Sequence, residues 1–257
     1  MEFRSGNPVL SDKAFNQHLG ATADRMTLDG TVNKTGLLLF IAVLAAAWPW
    51  SLVMQHANAG TANPNAGLVG LLAIGGAIIG LILALIISFK AHTAPYLAPV
   101  YAVFEGLFLG AVSGFFEMRY PGIVLQAIGL TFGTLGALLL AYKSGLIRAS
   151  ENFKLGIVAA TGAIMLLYVV GFVLSFFGIQ IPLIHGSGFV GIGFSLFVVT
   201  IAALNLVLDF DFIENGVAAG APKYMEWYGA FGLIVTLFWL YLEMLRLLAK
   251  LLPDALL

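Results

Sequence analysis

Seven apolar stretches divide the chain. Each is close to the ~20 residues a helix needs to cross ~30 Å of hydrocarbon. They run over roughly residues 36–54, 67–89, 94–117, 121–142, 155–177, 189–213 and 229–252. Strands of a membrane barrel would be ~10 residues long with strict alternation, and no stretch alternates. In lipid every backbone N–H and C=O must find a partner within the protein, so long apolar segments of this kind are expected as helices. The rest of the composition agrees. The 257 residues are 60% hydrophobic and 10% charged, against about a quarter charged in soluble domains. The expected fold is all-α, a polytopic membrane protein with seven transmembrane helices in one bundle.

Turn signals separate the spans, among them "NAGTANPNAG", "KAHTAP", "MRYPG" and "FGIQIPLIHGSG". Most connectors are short, and no internal repeat is visible. Residues 1–35 are polar and lack the basic start and short apolar core of a signal peptide. They are expected as a cytoplasmic tail, with a short surface helix around Ser11 to Arg25 capped by Ser11, ahead of a seven-helix domain over residues 36–257. With the N-terminus inside, the inside segments hold nine of the 12 Lys and Arg; only Arg119, Arg246 and Lys250 lie outside. That asymmetry favours a cytoplasmic N-terminus. Rows of small residues mark helix faces built for close approach in lipid: Gly106, Gly110 and Gly114 on the third span, Gly76 and Gly80 on the second, Gly129 and Gly133 on the fourth.

An ionisable side chain near mid-bilayer costs roughly 2.5–3.5 kcal/mol on insertion scales, which makes it a functional candidate. Glu105 lies about eleven residues from either end of the third span, ~16 Å along a helix, and is the clearest candidate. Asp209 and Asp211 come near the end of the sixth span, in "ALNLVLDFDFIENG". Positions i and i+2 point to different helix faces, so these two are not one ligand pair. Asn205 shares the face of Asp209, and Asp211 is expected at the water interface. Glu243 sits in "FWLYLEMLRLLAKLL", where Arg246 at i+3 can pair with it. If the last span enters lipid at Tyr228, Glu243 is ~22 Å deep and too far to meet Asp209. If it enters near Leu233, the depth is only ~15 Å. Glu226 is the fallback partner for Asp209.

Several functions are excluded by what is missing. Without cysteine there are no disulfides, thiol nucleophiles or iron–sulfur clusters. All four histidines lie in the tail or connectors, and no zinc-protease, phosphate-loop or dinucleotide motif occurs. A retinal protein needs a buried lysine in its last helix, where only Lys250 occurs, at the far end. No enzyme, cofactor or nucleic-acid partner is expected, and the formal net charge of −1 points to none.

"YAVFEGLFLGAVS" resembles the Glu-Gly-x-x-x-Gly segment of the Bax inhibitor family of membrane proteins. "LVLDFDFI" resembles the family's Asp-x-x-x-Ile, with Asp209 and Ile213 in those places, and "LYLEMLRLL" its Leu-Tyr-Leu-Asp, with Glu243 standing for Asp. The tail "MTLDGTVNKTGLLL" is similar to the bacterial YccA-like branch. The resemblance implies a bundle with its last helix central, in a bacterial inner membrane. It also implies a pH-sensitive cation (calcium) leak gated by a carboxylate pair between helices six and seven, here Asp209 and Glu243. Two carboxylates in contact cannot both ionise cheaply, so such a pair senses pH. Glu105 would line the ion path, and calcium would touch Glu105 and Asp209 only transiently. The alternative is an interaction protein that modulates a membrane-bound ATP-dependent protease, gripped by its polar tail.

Overall fold

Each apolar stretch folds as one helix. The computed structural model describes residues 25–57, 64–179, 181, 186 and 188–252. Among the described residues the helices are α1 (Leu28–Ala57), α2 (Ala66–Phe89), α3 (Ala94–Arg119), α4 (Ile123–Lys143), α5 (Glu151–Ser175), α6 (Phe189–Ala218) and α7 (Met225–Leu251), with a 3₁₀ turn, Ala91–Thr93, before α3. All seven are long and apolar enough to cross a membrane. The chain therefore alternates between two faces. The face where α1 starts also carries the ends of α2, α4 and α6 and the start of α7; it is called here the N-terminal face, and the opposite one the far face.

Several helices run past their apolar stretches, because polar residues continue a helix into water at no cost. α1 begins at Leu28 rather than near residue 36. Thr27 sets that start: its hydroxyl accepts the Gly30 N–H at 3.0 Å, a cap that satisfies one of the open donors of a first turn. The surface helix expected from Ser11 lies outside the described residues, apart from Arg25, which forms an antiparallel bridge with Pro222. α5 likewise takes up the end of its connector, where Ser150 accepts the Phe153 N–H. α6 runs on to Ala218 and stops before Gly220, whose φ of +66° suits glycine.

The glycine rows decide which helices touch. Gly106 and Gly110 lie against the Ala42 and Ala46 backbone of α1, and Gly114 against Val53; a side chain at Gly106 or Gly110 would run into those carbonyls. Gly76 faces the Phe104 carbonyl in the same way, tying α2 to α3. The row on the fourth span behaves differently: a side chain at Gly129 or Gly133 would meet nothing within 4 Å among the described residues, and both face outward. α7 packs against α1, α3, α4 and α6, whereas α5 rests on α6. Large apolar side chains such as Leu71, Leu125, Leu140 and Phe172 point out, while the Glu226 and Glu243 carboxyls are buried. That inversion is what a bundle in lipid requires.

α6 and α7 are antiparallel neighbours, and two contacts set their register. A side chain at Gly229 would meet Ile213 at 3.1 Å, and one at Gly232 would meet the Asp209 carboxyl at 3.9 Å. Residues of α6 and α7 thus face each other when their numbers sum to about 441.

Candidate functional site

Asp209 lies nine residues before the end of α6, ~14 Å along the helix from the N-terminal face. Across from it α7 presents Gly232, where a side chain would meet Oδ1 at 3.9 Å, so the carboxyl has room; Thr236, one turn further on, donates to the Gly232 carbonyl at 3.3 Å and stands in the same cavity wall. The other oxygen, Oδ2, is buried and finds no hydrogen-bond partner among the described residues. A buried polar atom without a partner costs about 1–3 kcal/mol, so its presence calls for an explanation. The explanation is beside it. A cavity of about 660 Å³ opens between α2, α5, α6 and α7 and includes Asp209 in its wall.

The cavity is graded. Asn205, one turn deeper than Asp209, is fixed by donating to Thr161 Oγ1 at 2.8 Å and to the Ile201 carbonyl at 2.8 Å. Toward the N-terminal face stands Lys154, whose Nζ lies 2.9 Å from Asp211 Oδ2 and 3.2 Å from Glu151. Asn215 also donates to Asp211, at 2.9 Å. Asp211 is thus a partly exposed ion-pair member near the rim. Lys154 and Thr236 were not apparent as site residues in the sequence. Lys154 meets Asp211 only through the packing of α5 on α6, and a threonine in an apolar run carries no signal of its own.

The remaining expected residues stand elsewhere. Glu105 lies between α2 and α3, its Oε2 over Gly80, where a side chain would meet it at 2.7 Å. It is not part of the wall of the Asp209 cavity. Phe231, which is, packs edge to face with Tyr101, one turn before Glu105, at a ring distance of 5.1 Å. Glu243 is held by Arg246 Nη1 at 2.9 and 3.0 Å and by the Tyr168 hydroxyl at 2.9 Å. Arg246 also donates to Tyr168 at 2.6 Å and lies over its ring. Glu226 accepts from Thr27 N–H at 2.9 Å and Thr27 Oγ1 at 2.7 Å, and pairs with Lys223 at 2.9 Å and with Lys34.

The family model described as Bax inhibitor 1 like matches residues 7–252. The chain belongs to the Bax inhibitor 1 like family. No curated protein and no solved structure matches it. As a member of that family it is an integral membrane protein, as its seven spans require.

Within this Bax inhibitor 1 like bundle, the carboxylate pair expected between helices six and seven does not form. Glu243 lies eleven residues beyond Gly232, the neighbour of Asp209, and therefore ~16 Å away along α7. The cause is the register of α7 on α6: with Gly232 opposite Asp209, Glu243 lies toward the far face and opposite the early part of α6. The Arg246 pairing at i+3 takes its place. Glu226 is no substitute partner for Asp209 either, because its carboxyl is spent on the segment that enters α1.

Proposed function

We propose that the protein passes cations, calcium among them, passively and in a pH-sensitive manner, with Asp209 as the charge that receives the ion. The observation that carries this reading is the Asp209 carboxyl, whose buried Oδ2 has no hydrogen-bond partner among the described residues, in the wall of an open cavity shared with Asn205, Lys154 and Thr236. A carboxylate with an unused oxygen is a hard ligand of the kind calcium takes. One carboxylate beside Asn205 and Thr236 falls short of the six to eight oxygens of a resident site, roughly speaking, so the ion would stop only briefly. The Lys and Arg asymmetry supports a cytoplasmic N-terminus, which would open the cavity to the cytoplasm of a bacterial cell. Glu105 extends the path past the Tyr101–Phe231 ring pair, which acts as its closed section.

The ionised carboxylate attracts a cation and the protonated one does not. Flux should therefore rise with pH as Asp209 loses its proton. Calcium flux into liposomes holding only this protein, from about pH 5 to about pH 8, tests the reading. Asp209→Asn should lower flux roughly tenfold at the upper end and flatten the profile. Wild-type liposomes that conduct no more than empty ones would overturn it.

A further inference from the structure

A second cavity lies in the half of the bundle toward the far face. It has a volume of about 420 Å³, and its walls include Ala46 and Trp50 on α1, Ser113 on α3, Thr131 and Phe132 on α4, and Tyr241 on α7. That volume is within the range of pockets that take whole small ligands, about 300–1,000 Å³. The groove follows from the glycine row. Gly106 and Gly110 draw α1 down onto α3, so α1 and α4 flank an opening instead of closing over α3 and α7.

The groove is dry by construction. The Ser113 and Tyr241 hydroxyls bond to each other at 2.7 Å, and Thr131 donates to the Ala127 carbonyl at 2.8 Å. These bonds turn most of the hydroxyls' capacity inward and the other walls are apolar, so a water would find few of the two to four polar partners, roughly, that a buried water needs. The opening is bordered by Val43, Ile128 and Phe132, which are 66%, 40% and 49% exposed and lie within spans. The phase outside the opening is therefore lipid hydrocarbon. The extent fits as well. On α4 the wall runs from Val124 to Phe132, ~12 Å of helix starting at the far interface, and one leaflet of hydrocarbon is ~15 Å deep.

We propose that this groove binds one acyl chain of a phospholipid of the far leaflet. Each part of the site has a place in that reading. The apolar walls take the chain, the internally bonded hydroxyls ask nothing of it, and Trp50 stands at the interfacial end, where tryptophan prefers to lie. The glycerol and head group remain at the membrane surface beside the turn between α3 and α4.

A phospholipid carrying a photoreactive group at mid-chain tests this in liposomes, with the labelled peptides identified by mass spectrometry. Labels should concentrate on the groove faces of α1, α4 and α7. Ala47→Phe, which fills the groove, should reduce labelling there roughly tenfold, a difference of the size that separates a site from bulk lipid. Leu44→Phe, on α1 but outside the groove, should leave it unchanged. Should Ala47→Phe not elute as folded protein, Ile128→Phe fills the same groove from α4. Labels spread evenly over outward residues such as Leu71 and Ile74 of α2 would overturn the proposal. So would labelling by a photoreactive free fatty acid alone, or crosslinks through the groove between two copies of the chain.

Discussion

Asp209 and Glu243 sit on neighbouring helices, each inside the hydrophobic part of the bundle, and their surroundings differ in what is left over. Glu243 is 2% exposed, and both its oxygens are engaged by Arg246, one of them also by Tyr168. Asp209 keeps one oxygen without a partner among the described residues and borders an open cavity. The same carboxyl chemistry therefore serves two ends. At Glu243 it is consumed in joining α5 to α7; at Asp209 it is kept available. A buried charge with a full set of partners is a structural device, while one with a free oxygen beside a cavity is a place for something to arrive.

The difference can be broken first at Glu243. Arg246→Leu removes its cation and leaves the carboxylate buried with only Tyr168. Breaking a buried pair in this way costs about 3 kcal/mol, the low end of the usual range because Arg246 is partly exposed. Thermal denaturation in detergent should register the loss. Residual flux per folded molecule should keep its pH profile, since Asp209 is untouched.

The contrast sharpens at the rim of the cavity. Lys154 holds a positive charge beside Asp211, which under the proposed function an incoming cation would have to pass. Lys154→Met should raise calcium flux about threefold at low ionic strength, and the gain should shrink with added salt as screening sets in. Stability should change by less than about 1 kcal/mol, because the ion pair is partly exposed. A loss of flux would mean that Lys154 supports the cavity and does not obstruct it.

Much of this was visible in the order of residues. Seven spans follow from length and hydropathy, because lipid leaves a long apolar segment little choice but a helix. The Gly106–Gly110–Gly114 row announced a close contact, and the i+3 spacing of Glu243 and Arg246 announced their pairing. Helix register was not legible. A shift of eight residues at the start of α7 separates a carboxylate pair that touches from one ~12 Å further apart, and nothing in "PKYMEWYGAFG" marks where lipid begins. The bonds from Thr27 and Lys34 that hold Glu226 at the start of α7 join residues 199 and 192 positions apart. Outward glycines are equally silent: Gly129 and Gly133 have the spacing of a packing row, yet a side chain there would meet no described residue.

The central claim is that Asp209 senses pH and receives the cation without Glu243. It is tested most directly by the pH profile of calcium flux in liposomes for Asp209→Asn, Glu243→Gln and the double variant. With the two carboxyls ~16 Å apart along α7, their substitutions should act independently. The account predicts a flat, low profile for Asp209→Asn, a wild-type shape for Glu243→Gln, and a double variant that follows Asp209→Asn. A Glu243→Gln profile as flat as that of Asp209→Asn would contradict it and restore the two residues as one gate.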